Sequence, residues 1–480
     1  MPAIVFAIIA GAAVFVFVNT GGGDKAKFYP EQNLNDVNRE RFVAEFKGAY
    51  AGEAEPNGNV IEMEMTASES EVEIFDGYKT KVWSYNGIVP GPEIRIKFGD
   101  TLKINFTNNL PQQTTIHFHG VRVPNAMDGV PGVTQEPIEP GGKFVYEFTP
   151  KDAGTFWFHP HVRSSEQVER GLFGTLIVED DADERYSRDV VWVIDDWRMT
   201  DDRQVHERFN TPMDLMHDGR WGNVITVNAN LNEVLKARPG ERIRLRLVNT
   251  SNARIYMPSF ENLDAKVIAV DGMYVREVFD FGKLELSPGN RIDVDITIPK
   301  GANGKSFNLV DNFGRTQIRL ARIEVEGPVA DTPEFEYPTN PNVPEWKGAD
   351  SVAIDKEYRL NARRKEGGGG GMMGGIEWTI NGKAYPDYDP FTFRYAKFNT
   401  MRFTNESSRL HPMHLHGQFF KVIARDGKPV SEPYFRDTVL VYPSQTIDVA
   451  LVPLDKGVWV NHCHILEHAE AGMMTAVTVE

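Results

Sequence analysis

One phrase of sequence occurs three times in this chain: a turn, then an alternating strand that closes on asparagine. It reads RIKFGDTLKINFTNN at residues 95–109, KARPGERIRLRLVNTSN at 236–252 and FRYAKFNTMRFTNES at 393–407. A unit repeated in this way restricts the chain to tandem copies of one fold, since each copy must bury the same pattern of side chains. Between the repeats run short alternating segments such as VEIFDG, EIRIKFGD and KFVYEFTP, punctuated by Gly, Pro and Asn. That texture is the signature of sandwiches or barrels. Helical periodicity longer than three turns is hard to find after Gly58, outside parts of 184–216, which argues against a parallel α/β sheet.

Two composition breaks divide the β region, an acidic patch at 179–184 and a stretch with prolines at 328, 333, 338, 341 and 344. Read as linkers, they leave three segments, 58–180, 185–326 and 350–480, each large enough for one β-sandwich. Ahead of them, residues 1–23 are expected to be a signal peptide or membrane anchor, because 3–18 is an uninterrupted apolar run. That run falls somewhat short of the ~20 residues a spanning helix usually needs, and no basic region precedes it. Residues 24–57 read as a polar tether with one short amphipathic stretch at 41–47. Export to the periplasm, cell surface or medium is the expectation that follows. The 52 Lys+Arg against 68 Asp+Glu give a net charge of −16 with no long basic run, so nucleic acid is excluded as a partner.

The chain has one cysteine, which rules out an internal disulfide, and twelve histidines. Ten of the twelve fall in four clusters: His117 and His119; His159 and His161; His411, His414 and His416; His462, His464 and His468. The clusters follow the repeat strand in the first and third segments, and the corresponding place in the middle segment, KGANGKSFNLVDNFG, has none. Residues i and i+2 of a strand project from one face, so an H-x-H pair directs two imidazoles into one site. Neutral imidazole is a ligand for Zn, Cu, Fe and Ni, whereas core histidines that simply satisfy their hydrogen bonds usually occur singly.

The run His462-Cys463-His464 sets a thiolate on one face of a strand and two imidazoles on the other, which requires two metal sites back to back. His468 follows five residues after Cys463 and Met473 ten after. With His411, the member of its cluster outside the H-x-H pair, they supply the thiolate, two imidazoles and weak thioether of a blue-copper electron-transfer site. Zinc would suit Cys and His but leaves the remaining paired histidines unexplained.

With these residues in place the chain resembles the three-domain, laccase-like multicopper oxidases of bacterial or archaeal type. The resemblance rests on HFHG, WFHPH, HPMHLHG and HCHILEHAEAGM in that order, preceded by SYNGIVPGPEIR and with DGVPGVTQEPI between the first two. It implies three consecutive cupredoxin-like Greek-key β-sandwiches, a monomer, and four copper ions. It implies His411, Cys463, His468 and Met473 at a type 1 copper and His117 and His414 at a type 2 copper. His119, His159, His161, His416, His462 and His464 are then implied at a type 3 pair, with His206 and His217 unassigned. The implied activity joins four one-electron oxidations of a small-molecule reductant, entering through His468, to reduction of dioxygen to two waters.

Two carboxylates are candidates for proton delivery in such a site. Asp128 matches the acidic residue near the type 2 copper of relatives, and Glu470 stands one place beyond the position, here Ala469, where many bacterial relatives carry Glu. An axial Met473 implies a low-to-middle potential. Phenols and aromatic amines are the first expectation for substrate, with Cu(I) the alternative. Soft thioethers suit Cu(I), and Met372 and Met373 sit in the glycine loop EGGGGGMMGG, a possible substrate loop, while Met213, Met216 and His217 form a second soft group.

Overall fold

A computed structural model describes residues 32–50, 55–332, 335–346, 352–365 and 375–480. The strands form six sheets that make three sandwiches: two four-stranded sheets, then a six- and a four-stranded sheet, then a six- and a five-stranded sheet. The fold is all-β, with three cupredoxin-like domains.

The repeated phrase is the same strand in each domain: Thr101–Asn108, Arg242–Asn249 and Asn399–Asn405. Each runs parallel to the first strand of its domain, Val60–Phe75, Arg188–Trp197 or Lys356–Arg364. On its other side it is antiparallel to Lys143–Phe148, Arg291–Thr297 or Thr446–Leu451. Parallel neighbours cannot be joined by a tight hairpin, so in every copy the chain leaves its sheet before returning. The terminal asparagine explains itself. Asn108 Nδ2 donates to the carbonyls of Gln112 and Ile138 while its Oδ1 accepts from Leu110 N–H. Asn249 does the same with Arg254, Leu286 and Ser251, and Asn405 with Arg409, Val441 and Ser407. One amide side chain thus satisfies three backbone groups at the corner where the strand ends.

The strand Arg242–Asn249 alternates arginine with aliphatic residues, a pattern that ordinarily gives one wet face. Here both faces are buried. Arg244 and Arg246 pair with Asp183 and Asp293, Arg246 also with Asp189, and Arg246 donates to Thr155 of the first domain at 2.8 Å. The acidic stretch read as a linker therefore contributes Asp183 to a buried ion network between the first two domains.

The stretch read as a tether departs further from expectation. Residues Gln32–Ala49 form helix α1, and Phe42, Phe46 and Tyr50 at its end are buried. They pack on Phe398, Phe419 and Phe435 of the third domain and on Trp346. Arg41 caps the Glu345 carbonyl at 2.9 Å, and Asn340 and Asn342 donate to Ala49 and Gly48. The aromatic i, i+4, i+8 spacing makes one buried stripe. Burying a side chain of this size stabilises by about 1.5–3 kcal/mol, enough to dock the segment as a clasp over the proline-rich connection. The apolar run at 3–18 and the Met372–Met373 loop lie outside the described residues. Among those described, no helix is long and apolar enough to cross a membrane.

Candidate metal centres

Two strand pairs bring the histidine clusters together. In the first domain His117–His119 pairs with Gly154–His159, placing His117 opposite His159. In the third, His411–Leu415 pairs with Gly457–Cys463, placing His414 opposite His462 and Met413 opposite Cys463. The inward faces of the two pairs meet, and their eight imidazoles share one buried volume. His119, His159 and His464 converge as one triplet, and His161, His416 and His462 as another. His117 and His414 stack on His416 and His119, at centroid distances of 3.8 Å each.

The tautomers follow from the partners, because a carbonyl oxygen only accepts. Nδ1 of His117, His159, His414 and His462 donates to the carbonyls of Asp128, Pro160, Asp437 and Cys463 at 2.8–3.0 Å. His416 Nδ1 donates to the Asp128 carboxylate at 2.9 Å. Each Nε2 is left with a bare lone pair aimed inward. Nε2 of His117, His159, His161 and His414 is buried without a partner, and both nitrogens of His464 are too. Nε2 of His416 and His462 face each other at 3.1 Å. Burial, reinforced by neighbouring imidazoles, holds His119, His159, His161, His416 and His464 well below their ordinary pKa, and burial brings His462 to about 3. Neutral, buried and unpartnered nitrogens in convergent groups are what metal ligation requires and what a core histidine avoids.

On the opposite face of Gly457–Cys463, Cys463 Sγ lies 3.6 Å from His411 Nδ1 and 3.8 Å from His468 Nδ1, with the two nitrogens 3.2 Å apart. The point equidistant from these atoms is about 2.1 Å from each, the length of a metal–imidazole bond. His411 Nε2 donates to Ser407 Oγ and His468 Nε2 to the His217 carbonyl at 2.7 Å, so both Nδ1 atoms are free to ligate. Met473 is buried beside them, its carbonyl accepting from Cys463 N–H. Burial raises the Cys463 thiol well above its ordinary value, so only a cation in this pocket makes thiolate the stable form. One thiolate with two imidazoles in a trigonal array, and a thioether nearby, is the donor set that selects copper.

Asp128 is buried between the domains, its carbonyl on His117 and its carboxylate on His416. Glu470 is elsewhere: exposed at the end of the short helix Leu466–Glu470, it accepts from Ser165 N–H and Asn210 Nδ2 at 2.7 and 2.8 Å. The buried carboxylate on that helix is Glu467, passed over in the sequence, which accepts from Asn252 and which burial lifts to about 7. A third buried acid, Asp437, was also missed. Its Oδ1 is 3.4 Å from His119 Nε2 and 3.6 Å from His414 Nδ1. Burial acts to raise Asp437, but Arg291 and His414 more than offset it and hold the acid ionised; burial and the charge on Asp437 together lift Asp271 to about 6. The signal for Asp437 was faint, since nothing in FRDTVLV ties it to a cluster in another domain.

Three β-sandwiches, in which a site of one cysteine and two histidines is joined through one H-C-H strand to an eight-imidazole cluster, define a blue-copper oxidase. The comparisons with known proteins narrow that class. Multicopper oxidase family models match residues 66–183, 188–322 and 360–480. A multicopper oxidase of Staphylococcus aureus is 30% identical, covering 86% of this chain and 88% of the relative. The crystal structure of a multi-copper oxidase from Pseudomonas thermotolerans superposes with a TM-score of 0.76 at 32% identity, covering 88% of this chain and 99% of that one. One from Campylobacter jejuni, described as a metallo-oxidase, gives a TM-score of 0.73 at 27% identity over 90% and 96%. The chain belongs to the multicopper oxidase family, oxidoreductases that use oxygen.

Proposed function

We propose that this multicopper oxidase takes its electrons from a low-valent metal ion, Cu(I), in preference to phenols or aromatic amines. The observation that carries the reading is the burial of His468. Its imidazole has no exposed surface: Trp378 lies against one side at a centroid distance of 4.1 Å, and Nε2 is held by the His217 carbonyl. The short helix Pro212–Met216 forms this cover. Thr211 caps it by accepting from Asp214 N–H, Arg198 fastens Asp214 at 2.6 Å, and the Leu215 carbonyl accepts from Trp378 Nε1. An aromatic substrate would have to displace this helix to touch the imidazole. A small ion need only bind outside it, where Met213 and Met216 are exposed beside His217 and offer soft donors. The metallo-oxidase among the similar structures supports the same reading.

The donor sets fit four copper ions. His411, Cys463, His468 and Met473 would hold the type 1 ion, and His117 and His414 the type 2. His119, His159 and His464 would hold one type 3 ion, and His161, His416 and His462 the other. When bound, copper supplies reversible one-electron storage at four centres, so that four Cu(I), one O2 and four protons yield four Cu(II) and two waters. The chain contributes the connection: Cys463 is covalently joined to His462 and His464, which enter different triplets. Asp128, touching His117 and His416 at once, is placed to hold a proton at its carboxylate beside the cluster. Residues 3–18 support export, so that Cu(I) would be met outside the cytoplasm, and the three-domain architecture supports a monomer.

Oxygen uptake by the copper-loaded protein with Cu(I), a dimethoxyphenol and an aromatic diamine tests this. Cu(I) should be the fastest reductant, and the Met213→Leu/Met216→Leu protein should lose about tenfold in kcat/KM for Cu(I) while keeping its aromatic rates. Aromatic rates above the Cu(I) rate, with Cu(I) oxidation unaffected by the double substitution, would establish a laccase instead.

A further inference from the structure

The middle domain supplies no histidine to the cluster, yet its turn at 287–291 touches it. Gly289, at φ +88°, passes so close that a Cβ there would stand 2.7 Å from His119 Cε1 and 3.1 Å from His464 Cδ2. Two residues on, Arg291 is wholly buried and its guanidinium reaches all three domains. Nε donates to the Thr155 carbonyl of the first domain at 3.0 Å, and Nη1 to the Gly289 carbonyl of its own turn at 3.0 Å. Nη1 also pairs with Asp437 Oδ2 of the third domain at 2.7 Å. Asp437 is further held by Asp271 of the middle domain, whose Oδ2 accepts its N–H at 3.1 Å. Asp271 is in turn fixed by Asn290 Nδ2 and by Arg291 N–H. The glycine of the first histidine motif makes room for the pair: a Cβ on Gly120 would meet Arg291 Nη2 at 2.2 Å and Asp437 Oδ2 at 2.5 Å.

Everything fixed in this way ends on two histidines. The Asp437 carbonyl and Thr438 Oγ1 both meet His414 Nδ1 at 3.0 Å, Thr438 Oγ1 donates to Asp437 Oδ1 at 2.8 Å, and that oxygen faces His119 Nε2. We propose that Arg291 is a positioning residue for the cluster: by fixing Asp437 it sets the tautomer and orientation of His414 and His119, and hence retention of the copper that His117 and His414 would hold. The ligand-free middle domain thereby becomes part of the oxygen-reducing site. The inference rests on the copper assignment given under the proposed function. Arginine is required because its planar fork reaches a carboxylate and two carbonyls at once, which the single ammonium of lysine cannot. Partners of this kind typically alter metal affinity or activity by about 10–100-fold.

Arg291→Lys keeps the charge and removes the fork. Copper per protein should fall from four towards three, with the type 2 electron paramagnetic resonance signal lost and oxygen reduction slowed about tenfold. The blue band and the rate of type 1 reduction by Cu(I) should stay unchanged. Asp437→Asn, which leaves the carbonyl on His414 but takes away the charge that Arg291 grips, should give the same selective loss. Adding Arg291→Lys to it should cost nothing more, because the arginine acts through Asp437. The proposal is overturned if Arg291→Lys keeps a full type 2 signal and wild-type turnover, or if it loses type 1 and type 2 copper in parallel. It is equally overturned if Asp437→Asn is indistinguishable from wild type, a result that stands even should Arg291→Lys fail to fold. A wild-type protein that is colourless or binds no copper would remove the assignment of the site, a different failure from a blue wild type beside an unaltered variant.

Discussion

Replacing Asn249 by alanine removes one side chain and strands three backbone groups, the carbonyls of Arg254 and Leu286 and the N–H of Ser251. A buried polar group left unpaired costs about 1–3 kcal/mol. The substitution should therefore lower the stability of the middle domain by about 3 kcal/mol in urea unfolding of the metal-free protein, and a loss under a few tenths would mean that water replaces the amide. Glu169 offers a pH test. Burial lifts its carboxyl to about 7 even with Arg220 Nε at 2.9 Å. A raised acid gives its full stabilisation below its ordinary value near 4.5 and loses it as pH climbs through 7, a change of about 3 kcal/mol. Metal-free wild type should lose thermal stability from pH 4.5 to 7.5 more steeply than Glu169→Gln, and parallel profiles would refute the assignment. Such residues mark the limit of sequence reading. The histidines were legible because strand period two and their clustering both act over a few residues. Asp437, Asp271 and Arg291 were not, because their roles depend on which domain faces which.

Among the elements, helix α1 was read as a tether because its polar residues dominate the average. Only three aromatic rings, at Phe42, Phe46 and Tyr50, betray the buried stripe. Phe46 sits between Phe42, Tyr50 and Phe435 with no exposed surface. Phe46→Ala should destabilise the clasp by about 3–4 kcal/mol, seen as a lower melting temperature with an unchanged blue band. An unaltered melting temperature would show that the helix is not docked in solution. The strand Arg242–Asn249 was legible as a strand, but its surroundings were not. Its alternation was visible, but alternation alone cannot tell a wet face from one buried against a neighbouring domain with its charges paired. The repeat strands themselves were legible throughout, since each must supply the same parallel and antiparallel neighbours to its sheet.

At the scale of the whole molecule the two metal sites differ in what they hold together. His411, Cys463, His468 and Met473 all belong to the third domain, so copper held there would bind within one domain. The eight other imidazoles come four from the first domain and four from the third, so copper held there would be an interdomain bond. Without cations, neutral nitrogens such as His416 and His462 Nε2 confront each other at 3.1 Å, and several others are buried without partners. An ion that binds only the folded, docked arrangement stabilises it in proportion to its affinity. Chelation should therefore lower the melting temperature, and the loss should follow the cluster more than the blue site. Cys463→Ser separates the two, because it removes the thiolate and leaves all ten clustered histidines in place. That protein should be colourless and nearly without turnover, bind about three coppers, and still recover most of the copper-dependent rise in melting temperature by calorimetry. His464→Ala should do the reverse, recovering little of that rise even though Cys463, His411, His468 and Met473 are untouched. If Cys463→Ser instead abolishes the thermal shift, the interface between the first and third domains does not depend on the metal, and ion pairs such as Arg122 with Asp455 hold it alone.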